Sequence, residues 1–175
     1  LAMTVADSTI TVDGFTEATG ATNGIQGATF SGTAAFVVSH STGTAGSGFG
    51  IRAGAFSATA SFSVTASEAF APTGLAGISV ATWTTSGTAS ITDTVATSVT
   101  GVLVDDVTSS VVALSNVTAT GTSASGAGVK LNNLGAATTV TLTDVAATGT
   151  AQYGLWALTA ATATINVLTS TIGGA

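Results

Sequence analysis

The chain has no cysteine, one proline and only two basic residues among its 175. Without cysteine there is neither a disulfide framework nor a thiolate metal site, and any redox compartment is open to it. Arg52 and Lys130 alone cannot neutralise a run of phosphates, so nucleic acid is excluded as a partner. Long apolar runs are missing as well. Thr, Ser or Gly interrupts each one within a few positions, whereas a membrane-spanning helix needs about 18 apolar residues in a row. The formal charge of −6 comes mainly from the shortage of Lys and Arg, and the acidic residues are thinly scattered, so steering of a charged substrate is not expected. His40 is the single histidine, which removes any multi-histidine metal site and leaves a hydrolytic triad dependent on one residue near no nucleophile elbow.

What fills the chain instead is threonine, 36 residues of it, with Gly, Ser and Ala. A mean hydropathy of +0.62 and regularly placed β-branched residues give enough apolar surface to collapse, which argues against disorder. Leu1-Ala2-Met3 lacks a basic segment followed by an apolar stretch, and a chain beginning at Leu1 is expected to be processed or cut from a longer protein.

A repeat organises the residues. Its clearest copies are Val140-Thr-Leu-Thr-Asp-Val145 followed by Gly154-Leu155, and Val112-Ala-Leu-Ser-Asn-Val117 followed by Gly128-Val129. The central apolar residue of a first strand recurs as Val12, Val38, Val64, Ile91, Leu114, Leu142 and Val167, at spacings of 26, 26, 27, 23, 28 and 25. A glycine followed by an aliphatic recurs at Gly24, Gly50, Gly77, Gly101, Gly128 and Gly154, at spacings of 26, 27, 24, 27 and 26. Six residues after each glycine stand Phe30, Phe56, Trp83, Val107, Leu134 and Ala160, a third apolar column. Two independent columns sharing one period of about 26 mark a real repeat.

Inside each unit the apolar period is 2, as in Ile10-x-Val12 and Phe36-x-Val38, which is the period of strands. Dense Thr, Val and Gly disfavour helix. A unit this short, holding two or three strands, cannot be a four-stranded propeller blade and matches one coil of a β-solenoid. The sequence therefore predicts one all-β domain over 1–175, a right-handed parallel β-helix of about 6–7 coils of about 26 residues, with like residues stacked in ladders. At ~4.8 Å per coil it would be roughly 30 Å long.

These segments resemble the repeats of right-handed parallel β-helices, especially the passenger regions of bacterial autotransporters and other large surface adhesins. The resemblance covers roughly residues 9–172. It implies fold more than function, and it implies an extracellular or cell-surface location.

Candidate sites are few. Two residues after each central apolar residue lies a polar column: Gly14, His40, Ala66, Asp93, Asn116, Asp144 and Thr169. Its Asn and Asp suit Asx-type bonds at strand ends and bonds between neighbouring side chains up the ladder, with Asp93 and Asp144 around Asn116 as a lesser candidate for Ca²⁺. Asp105-Asp106, one coil below Asn132-Asn133, is a second oxygen-rich pair open to the same two readings. Asn116-Val117-Thr118 also matches the N-glycosylation pattern. Polysaccharide cleavage would need carboxylates and a cation converging in a cleft, but Lys130 and Arg52 lie about three coils apart.

The outward positions of the first strand form the most uniform surface, 14 of 21 being Thr or Ser. Thr9, Thr11, Ser63, Thr65, Ser90, Thr92, Thr139, Thr141 and Thr143 make a flat, small-grained face similar to those of β-solenoid ice-binding proteins, although Val37, Val111 and Leu168 interrupt it. β-propensity alone would also place Thr there.

The sequence thus predicts a non-enzymatic structural β-helix with no cofactor and no metal, acting in assembly or adhesion. Its partner would be a second copy, added end to end through Leu1, Met3 and Val5 on one side and Ile165, Val167 and Ile172 on the other. Ice binding is the alternative, with a surface glycan as a further partner. Membrane insertion is not expected.

Overall fold

The computed structural model describes residues 4–6, 9–13, 22–84, 86–151, 153–160 and 162–174, with backbone alone for Thr4–Ala6 and Asp13. Leu1, Met3 and Gly14 lie outside them. The first coils hold β1 (Thr4–Ala6), β2 (Thr9–Asp13), β3 (Ile25–Ser31), β4 (Ala35–Ser39), β5 (Thr42–Thr44) and β6 (Phe49–Phe56). The central ones hold β7 (Ser61–Thr65), β8 (Glu68–Trp83), β9 (Thr88–Val107), β10 (Val111–Gly121) and β11 (Ala127–Asn132). The last hold β12 (Thr139–Thr143), β13 (Ala146–Gly149), β14 (Tyr153–Leu158), β15 (Thr164–Leu168) and β16 (Thr171–Gly174). No helix occurs among the described residues.

Every pairing joins a strand to its equivalent one repeat away, in parallel, so the chain is a β-solenoid of about six coils. Three sheets wrap the core. A first sheet runs through β2, β4, β7, β9, β10, β12 and β15. A middle sheet, next along each coil, runs through β5, β8, β9, β10, β13 and β16. A glycine sheet runs through β3, β6, β8, β9, β11 and β14. β9 bends through all three.

The polar column forms the corner between the first and middle sheets. All six described members have positive φ, from 45° at His40 to 53° at Asp144. The corner selects Asn and Asp chiefly because their short polar side chains tolerate the left-handed region, where Ala66 and Thr169 are strained. The hydroxyl that follows turns inward and satisfies the bend: Ser41, Ser67, Thr94 and Ser170 donate to the carbonyl two residues back at 2.7–2.8 Å. Ser67 and Ser170 also accept an amide from the coil below, from Ser41 and Val145.

Why glycine recurs is a matter of space. A Cβ built on Gly50 would sit 2.8 Å from the carbonyl oxygens of Gly43 and Gly77 and from the amide of Phe70. Glycine and middle sheets meet backbone to backbone there, and the section widens away from that contact.

In the wide part, side-chain volumes compensate within each coil. Gly27 shares its layer with Phe30 and Phe36, Ala53 with Phe56 and Phe62, and Val80 with Trp83 and Ala89. A Cβ on Gly27 would stand 2.6 Å from the Phe30 ring and 2.7 Å from that of Phe36. Up the column, Phe30 stacks on Phe56 at 4.8 Å between centroids, and Phe56 on Trp83 at 4.6 Å. Such layers keep the core near native density while the residues change.

The expected inward ladder is present in register, from Ile10 on Phe36 and Val12 on Val38 up to Val140 on Ile165 and Leu142 on Val167. It is buried through the middle coils. Ile10, Val12 and Ile165 are half-buried, and Val167 is exposed, because no described coil lies beyond them.

Candidate functional surfaces

The outer face of the first sheet brings the expected hydroxyls together. Thr11, Val37, Ser63, Ser90, Ala113, Thr141 and Asn166 follow one another in register, beside a column of Ser39, Thr65, Thr92, Ser115, Thr143 and Leu168. Thr9, with Thr139 five coils on, belongs to a third column. The surface is continuous but mixed. Val37, Val111 and Leu168 stand within it, as the sequence indicated.

Of the oxygen-rich groups, Asp93 and Asn116 meet directly, the amide Nδ2 donating to Asp93 Oδ1 at 2.6 Å. Asp144 follows in the same corner column, one coil beyond Asn116. Asp105 lies beneath Asn132, and its Oδ1 accepts from Asn132 Nδ2 at 2.8 Å and from Asn133 Nδ2 at 3.3 Å. Asp106 and Asn133 form a second column of positive φ, at 52° and 48°. These bonds join side chains of successive coils. Among the described residues no three acidic, histidine or cysteine side chains group where they could hold a metal ion.

The two cations stay apart, three register steps from each other along the column Gln26, Arg52, Ser79, Leu103, Lys130, Trp156. Each lies over a ring, Arg52 Cζ at 4.8 Å from the Phe49 centroid and Lys130 Nζ at 4.3 Å from that of Trp156. Tyr153 packs against Trp156, with centroids 5.2 Å apart.

Of the expected assembly residues, Val5 pairs with Phe30 through its backbone. At the other end Val167 and Ile172 are 42% and 40% exposed, while Leu142 and Ala147, their partners one coil back, are 0% exposed. No described coil follows to cover these two columns.

The middle sheet was not legible as a surface in the sequence. Its outer columns run Thr42, Glu68, Val95, Thr118, Ala146, Thr171 and Thr44, Phe70, Thr97, Thr120, Thr148, Gly173. Thr-x-Thr at 42–44, 118–120 was the available signal.

The chain matches no protein-family model, and comparison with curated proteins and with solved structures returns no similar protein.

Proposed function

We infer that this chain is a non-enzymatic structural β-solenoid of an extracellular or cell-surface assembly, a rod extended by adding coils and presenting flat hydroxyl-rich faces. The observation that carries the reading is the unbroken in-register stacking of like strands, in which each coil covers the columns of the one before, as Val167 and Ile172 cover the fully buried Leu142 and Ala147. A parallel strand edge with apolar columns beside it is a template for another coil, since stacking pairs its amides and removes those side chains from water. β2 carries Ile10 and Val12 at the spacing of Ile165 and Val167, so a second copy offers a matching strand. Such a head-to-tail contact repeats into a filament. The resemblance to surface adhesins supports the location.

Light scattering tests it. The intact chain should form particles that lengthen with concentration, and Val167→Lys with Ile172→Lys should return them to single copies. Single copies from the intact chain would overturn filament formation by this chain and leave coil addition to a covalently continuous solenoid.

Ice binding is the second reading, favoured by in-register threonines on two sheets.

A further inference from the structure

The chain has two tryptophans and one tyrosine. Trp83 is buried in the core column, and the other two stand side by side on the outside of the glycine sheet. Tyr153 is 45% exposed there, and its ring is inclined 38° to that of Trp156. Lys130, directly below Trp156, lies over the indole, and Asn132 follows two residues along β11. Asp105 sits below Asn132 and takes both amide bonds on Oδ1. In a chain with 6% charged and 6% aromatic residues, one surface thus gathers aromatic rings, an ammonium, two amides and a carboxylate.

We propose that Tyr153, Trp156, Lys130, Asn132 and Asp105 form a binding surface for a neutral glycan chain. A pyranose ring has an apolar C–H face that stacks on an aromatic ring and a rim of hydroxyls that both donate and accept. Tyr153 supplies the open ring, Lys130 and the amides of Asn132 and Asn133 supply donors, and Asp105 supplies an acceptor. An anionic ligand is disfavoured, because the Asp105 carboxylate shares this surface with its single ammonium, Lys130. A purely apolar partner would strip water from the Lys130 ammonium and the Asp105 carboxylate without replacing it. The residues span three successive coils on an outward sheet face, which suits a polymer laid across the strands. This inference adds a ligand to the structural reading and does not depend on coil addition.

The two indole N–H resonances give the test, with buried Trp83 as the internal control. Cellohexaose, chitohexaose and maltohexaose are titrated separately to millimolar concentration. The Trp156 resonance should move with at least one of them while that of Trp83 stays in place. Tyr153→Ala should weaken that response about tenfold, with an unmoved Trp83 resonance reporting that the variant is folded. If no hexasaccharide shifts Trp156, or the response survives Tyr153→Ala unchanged, the proposal is wrong. Light scattering on the same samples reads coil addition separately, so failure of one is distinguishable from failure of the other.

Discussion

Asn116 donates its side-chain amide to the carboxylate of Asp93, one coil earlier, at 2.6 Å, and both residues have φ near +50°. One corner therefore combines a backbone state that favours Asn and Asp with a bond that only such side chains can extend.

Ala66 breaks that column immediately before Asp93, at φ 48°. Left-handed backbone costs an ordinary residue about 1 kcal/mol. Asn at this site tolerates the conformation and brings an amide toward Asp93. Ala66→Asn should therefore stabilise the fold by about 1 kcal/mol, read as a higher urea midpoint with unchanged slope. A β-branched Ala66→Val should lower it.

Trp83 presents a different imbalance. It completes the ring stack on Phe56, yet its indole Nε1 is buried with no hydrogen-bond partner among the described residues. A buried donor left unpaired costs about 1–3 kcal/mol, which opposes the packing lost when a smaller ring replaces the indole. Trp83→Phe should thus be nearly neutral, within about 1 kcal/mol. Trp83→Ala lacks that compensation and should cost about 3–5 kcal/mol. Thermal melts of the two variants check the contrast, and equal losses would show that the orphaned donor carries no penalty.

The ladders were legible because their signal is large apolar side chains at a fixed period: Val38, Val64, Ile91, Leu114 and Leu142 could be placed from spacing alone, and each is buried in register. The middle sheet was not, since its inward column is Gly43, Ala69, Ala96, Ala119 and Ala147, which carry almost no hydropathy contrast. Those small residues follow from the close approach at the glycine column, a three-dimensional constraint invisible in one strand. Similarly, Asn and Asp at the corner suggested side-chain bonds to the backbone and up the ladder, and Asn116 does bond Asp93, but the feature shared by all six described residues is positive φ. The Tyr153–Trp156 contact was hidden for another reason: only the pairing of β11 with β14 puts Lys130 beside them.

Calcium is the next matter to decide by experiment. Asp105 Oδ1 already holds the amides of Asn132 and Asn133, and Asp93 Oδ1 holds that of Asn116. Binding to the folded state alone would raise its stability. With these amides as the working partners, chelator should leave the melting temperature unchanged, whereas Asp105→Ala should lower stability by about 1–2 kcal/mol through the lost acceptor. A chelator-induced fall that calcium reverses would make Asp105 and Asp106, or Asp93 and Asp144, a metal site after all.

Ice binding separates from assembly by which face is altered. The first sheet offers Thr139, Thr141 and Thr143 as its longest run of outward threonine, and the middle sheet offers Thr118 with Thr120 and, one coil on, Thr148. Flatness alone does not make either face active, because Thr also suits any solvent-facing strand. If ordered hydroxyls and methyls on the first sheet engage ice, Thr141→Lys with Thr143→Lys should abolish thermal hysteresis, and Thr118→Lys with Thr120→Lys should leave it intact. Both pairs point outward, so each variant should keep its melting temperature to within a few degrees, as expected for surface changes of about 0.5 kcal/mol or less. The reverse pattern would move the activity to the middle sheet. Absence of hysteresis in the unaltered protein would end the ice-binding reading, since the threonine columns would then reflect strand propensity and nothing more.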